Sequence, residues 1–104
     1  MKYEIRKEDK VIGITELEGG DPPMGFVFGA IEPTDFYVSG IGQGGCRIYT
    51  CETNEEIPSE SITIEDHSEE LGEQCIEVTV LVRSAEEYEK FFKHHLEAYE
   101  KQFS

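Results

Sequence analysis

The residue types in this chain that could do chemistry are three cysteines (Cys46, Cys51, Cys75), three histidines (His67, His94, His95) and a large excess of carboxylates. Asp66-His67-Ser68 contains the residue types of a hydrolase triad. Neighbours in sequence cannot converge as nucleophile, base and orienter, which come from separate elements, so the run reads better as an Asx or Ser/Thr turn. The carboxylates around His67 favour imidazolium and disfavour a thiolate, the wrong setting for activating Cys51 or Cys75. Zinc would need paired ligands, and the chain has neither a C-x2-C nor an H-x3-H spacing. A D-x-D-x-D-G calcium loop is also missing from the sequence. Gly40-Ile41-Gly42-Gln43-Gly44-Gly45 matches G-x-G-x-x-G, but the residues after it alternate like a strand instead of opening a helix, so it reads as a hairpin loop. These readings predict no catalytic residue, no cofactor and no metal.

The carboxylates are different. Between Ile48 and Val82 stand Glu52, Glu55, Glu56, Glu60, Glu65, Asp66, Glu69, Glu70, Glu73 and Glu77, with no Lys or Arg. The net charge is −14, and ten of those fourteen excess charges fall in this segment. Such a field repels nucleic acid and anionic lipid and attracts cationic partners. It is either a solvated face or a binding face. The second reading gains from Tyr49 and Ile57, apolar anchors of the kind that interfaces bury inside a charged rim. The expected partner-binding set is therefore Glu52, Glu55, Glu56, Glu60, Glu65, Asp66, Glu69 and Glu70, with Tyr49 and Ile57.

Positioning these residues takes a fold, and 104 residues suit one domain, 1–104, with one core. Tyr3, Ile5, Ile12 and Ile14 alternate with polar residues on either side of Lys7–Lys10, predicting a hairpin. Glu18–Pro23 reads as a loop, Met24–Ile31 as a central strand, and Thr34–Ser39 as a short extended piece. Cys46–Thr53, Ser61–Glu65 and Cys75–Val82 read as further strands. Ser84 with Glu87 forms a capping box that opens one long helix. Tyr88, Phe91, Phe92, His95, Leu96, Tyr99 and Phe103 form its apolar stripe. The expected class is α+β: a mostly antiparallel sheet of six or seven strands with one C-terminal helix packed across it. His95 is expected at the edge of the core and His94 toward solvent.

The N-terminal residues lack the apolar stretch of a secretory signal, and the longest near-apolar run is too short to span a bilayer. An odd number of cysteines fits a reducing compartment, and a Cys46–Cys51 bridge along one strand would join opposite faces. The expectation is a cytoplasmic protein.

Gly20-Asp21-Pro22-Pro23-Met24-Gly25, Phe28-Gly29, Pro33-Thr34, Glu77–Leu81 and the ending His94-His95-x-x-x-Tyr99-x-x-x-Phe103 resemble a family of small bacterial proteins that brings no activity with it. Size, acidity and the lack of catalytic residues are similar to the immunity proteins of bacterial toxin–immunity pairs. That likeness implies an inhibitor that occludes a basic, nuclease-like toxin by charge complementarity, with no nucleic acid or membrane partner. The alternatives are a small enzyme or ligand-binding domain using loops 19–25 and 40–45, and a modulator that displaces nucleic acid from a DNA-binding protein.

Overall fold

The structure is a computed structural model that describes residues 2–38 and 44–102. Tyr3–Lys7 (β1) and Lys10–Thr15 (β2) form the expected hairpin, with Lys7 opposite Lys10. Glu8 and Asp9 turn the chain at φ 52° and 66°, the left-handed conformation that a two-residue turn needs to match the twist of its strands.

Glu18–Pro23, expected as a loop, holds a short strand, Gly19–Asp21 (β3), followed by a 3₁₀ turn at Pro22–Met24. The strand forms because the first half of Phe26–Pro33 (β4) offers it a backbone edge, Gly20 lying opposite Val27. The second half of β4 pairs with β2 instead, with Thr15 opposite Ile31. Thr34–Val38 is not extended: the Tyr37 N–H donates to the Thr34 carbonyl at 3.0 Å, and the Thr34 hydroxyl donates to the Val11 carbonyl, closing a turn. Ser39 and most of the glycine-rich run, residues 40–43, lie outside the described residues.

Arg47–Thr50 (β5), Ser59–Asp66 (β6), the single helical turn Ser68–Leu71 (α1) and Ile76–Val82 (β7) complete the strands. All pairings are antiparallel, in the order β5-β1-β2-β4-β7-β6 with β3 beside β4. The sheet curls, and residues 55–58 link its two ends. Ile57 N–H donates to the Ile48 carbonyl and Thr50 N–H to the Glu55 carbonyl, both at 2.9 Å on β5. One residue later, the Pro58 carbonyl accepts the Arg83 N–H at 3.1 Å beyond the end of β7.

The inner face carries the core: Tyr3, Ile5, Leu17, Val27, Ile48, Val78 and Val80 are fully buried. Fully burying each such side chain contributes about 1.5–3 kcal/mol. Ala85–Gln102 (α2) lies against β3, the 3₁₀ turn and β7. Its start follows the sequence. Ser84 Oγ accepts the Glu87 N–H at 3.3 Å and donates to the Glu87 carboxylate at 2.7 Å. Phe92 leaves helical geometry (φ −129°, ψ 36°) inside the helix, and the stripe continues past it as far as Leu96. Tyr88, Phe92 and His95 are buried and Phe91 and Leu96 half-buried, but Tyr99 is 37% exposed instead of covered. Phe103 lies outside the described residues. No helix among the described residues is long and apolar enough to cross a membrane.

Candidate partner-binding surface

The acidic segment does not fold into one patch. Its first part leaves β5 and lies beside α2, where two carboxylates already have bases: Glu55 accepts from Lys90 Nζ at 2.7 Å, and Glu56 lies 3.6 Å from Arg47. Glu52 is exposed on the turn before them, and its charge adds to burial in raising the pKa of Tyr3. Tyr49 is half-buried and capped by the protein's own Arg6, whose guanidinium sits 4.1 Å above the ring and is held by Glu4 and Asn54. Ile57 is 1% exposed and belongs to the core. The anchor role expected of it does not fit, because the bonds that tie residues 55–58 to β5 turn its side chain inward.

The second part is the β6–β7 hairpin. Glu60 is exposed where the β6 register shifts, and Glu65 bonds the His67 ring at 3.2 Å. Asp66 accepts the Ser68 N–H and the Tyr37 hydroxyl, both at 2.9 Å. The Ser68 bonds, and then the one from Tyr37, hold the Asp66 carboxyl below its ordinary value. Burial, with Asp66 beside it, pushes the Tyr37 phenol up to about 12. The Asp66-His67-Ser68 run is thus an Asx turn, and Ser68 Oγ is occupied by the Cys75 N–H at 2.9 Å. Glu69 and Glu70 are exposed on α1. The structure therefore gathers Glu65, Asp66, Glu69 and Glu70 at one end of this hairpin, sets Glu60 at the other end, where it shares a groove and the neighbouring Arg83 with Glu56, and leaves Glu52 and Glu55 apart.

The distribution of bases is what organises this surface. Arg6, Lys7, Lys10 and Arg47 all lie on β1, β2 and β5, whereas β3, β4, β7 and β6, neighbours in the sheet, carry no Lys or Arg. On the outer face of these strands the sequence reading missed three residues: Glu18, Phe28 and Glu77. Glu77 was in the base-free segment and could have been found by asking which β7 positions alternate away from Val78 and Val80. Phe28 was hidden because β4 is apolar at nearly every position, which fits burial on both faces or cover on one by the helix and does not tell which side chains face water.

Other chemistry is not assembled among the described residues. No group of three His, Cys, Asp or Glu is placed to hold a metal. Burial pushes the Cys46 thiol up despite Lys7 nearby. His95 lies at the core edge as expected, its Nε2 bonding the Leu17 carbonyl at 2.7 Å, and His94 is exposed. Gly44 and Gly45 border an open groove of about 490 Å³ between β5 and β6 that also includes Cys46, Arg47, Ile57 and Ile62. In loop 19–25 the Gly20 backbone is covered by α2. A Cβ on Gly20 would fall 2.8 Å from the His95 ring and 2.9 Å from the Tyr88 hydroxyl, so α2 packs directly on that backbone.

Fold and surface together define an α+β protein in which four neighbouring strands carry carboxylates and no Lys or Arg, with Arg83 just beyond the end of β7 paired to Glu87. Comparison with protein-family models, curated proteins and solved structures returns no match.

Proposed function

We propose that this chain is an acidic binding protein of the immunity type, which neutralises a basic, nuclease-like protein by covering its cationic surface. The observation that carries the reading is the absence of bases from four adjacent strands while carboxylates project from them. A nuclease needs a cationic surface to hold a polyanion, and a protein with the opposite charge can occupy it. The role asks no catalysis of this chain, and the bonded Asp66 turn and the raised Cys46 thiol accord with that. The toxin, the cytoplasmic setting and the bacterial source belong to the same proposal.

The test is inhibition of nucleic-acid cleavage by the product of the adjacent gene, which this reading expects to be a basic protein. Wild type is expected to inhibit with an association rate that falls steeply as salt shortens the screening length from about 10 Å at 0.1 M. Replacing Glu65, Glu69, Glu70 and Glu77 with Lys should slow association by about tenfold or more. Inhibition that persists unchanged in that variant, or a neighbouring product that is neither basic nor bound, would overturn the reading.

A further inference from the structure

One face of β4 is turned to the core and the other to water. Register places Phe26, Phe28 and Ala30 beside Leu81, Thr79 and Glu77 of β7, and these beside Ser61, Thr63 and Glu65 of β6. Phe28 is 44% exposed and Met24, at the head of the strand, 62%. The Phe28 ring rests on the backbone of β3: a Cβ on Gly19 would fall 2.1 Å from it. A groove of about 360 Å³ runs from this ring over Ala30, between Glu18 and Glu77. Glu18 is fixed there, one carboxylate oxygen accepting the Ala30 N–H at 3.0 Å in the gap where β4 changes partner from β3 to β2.

An aromatic ring beside two carboxylates selects its occupant. A neutral ligand would desolvate both carboxylates without pairing them, and an anion would be repelled. A second copy of this chain would set Glu65 and Glu77 against their own equivalents. A lysine or arginine side chain satisfies all three groups, with its aliphatic stem on the ring and its cation between the acids.

We propose that the outer face of β4 and β7 is the docking surface for the basic partner, and that it receives a lysine- or arginine-bearing segment over Phe28 and Ala30 with the cation between Glu18 and Glu77. This rests on the functional reading above and adds the place of contact. It moves the anchor from Tyr49 and Ile57 to Phe28.

The experiment is an amide chemical-shift titration of the intact protein with an octa-arginine peptide at physiological salt, followed by the same titration of Phe28→Thr and Glu77→Gln. The expected result is saturable binding with the largest shifts at Phe28, Ala30, Glu77 and Thr79, and affinity lowered about three- to tenfold in each variant. Mapping on the wild type needs no substitution, so a variant that folds poorly does not remove the test. Binding centred on Glu69–Glu73, or spread evenly over the acids, would overturn the docking surface and leave the functional reading standing. Concentration-dependent shifts at the same residues without peptide would overturn it in favour of self-association. No saturable binding to the peptide, together with no binding to the basic neighbour, would remove both proposals.

Discussion

Asp66 and Tyr37 are 29 positions apart, and no spacing rule links them, yet their hydrogen bond ties the turn after β4 to the end of β6. Because the folded-state pKa of Asp66 lies below its ordinary value of 3.8, its contribution to stability is complete above that value and lost as pH falls through the folded pKa. Asp66→Asn should therefore lower the melting temperature at neutral pH and narrow the gap from wild type below about pH 4. The Tyr37 phenol, at about 12, should titrate lower in the same variant, which a site-resolved NMR titration of its ring reads apart from Tyr88, also raised to about 12. A melting difference independent of pH, with an unmoved phenol, would mean that the link contributes nothing. The Asx turn itself was legible, since Asp and Ser at that separation make one locally. The pairs Glu55–Lys90 and Glu56–Arg47 were not, because their partners come from other elements and a count of charges along the chain cannot neutralise them.

Among the elements, α2 shows where periodic reasoning holds and where it stops. Its first turn was legible because the cap is local. So were His95 and Leu96 past Phe92, but the break in helical geometry at Phe92, with neither proline nor glycine to signal it, and the exposure of Tyr99 were not. The Phe92 ring lies 5.6 Å from both Tyr3 and Tyr88 and is fully buried, so it joins the helix to the first strand. Phe92→Ala should cost about 3–5 kcal/mol, measured by denaturant unfolding, while Tyr99→Ala, at a half-exposed position, should cost far less. Equal costs would mean that Tyr99 is as well covered as Phe92. The strands were legible wherever one face alternates. β3 was not, since three residues with two glycines carry no pattern, and its pairing depends on an edge that only the assembled sheet provides.

For the whole molecule, charge is the property most visible in the sequence and least visible in its arrangement. That the middle of the chain is acidic could be read directly. That the bases borne by strands fall on β1, β2 and β5 and spare the other strands needs the strand order, in which β5 sits beside β1 and β7 beside β4 across long stretches of chain. The arrangement predicts opposite results from the same kind of substitution. Glu69→Lys with Glu70→Lys removes repulsion and should leave the melting temperature equal or higher. Glu55→Lys with Glu56→Lys sets like charges against Lys90 and Arg47 and should lower it by about 2–5 °C. Similar shifts for both pairs would mean that only net charge matters.

The link at residues 55–58 also separates near contacts from far ones. Its bonds to Ile48 and Thr50 close a short turn and its bond to Arg83 extends the β6–β7 hairpin, whereas β5 meets β1, and β7 meets β4, across long stretches of chain. Short loops lose little chain entropy on closing and long ones lose more. Residues 55–58 thus act as a rivet between two neighbourhoods of the chain, each assembled from bonds close at hand.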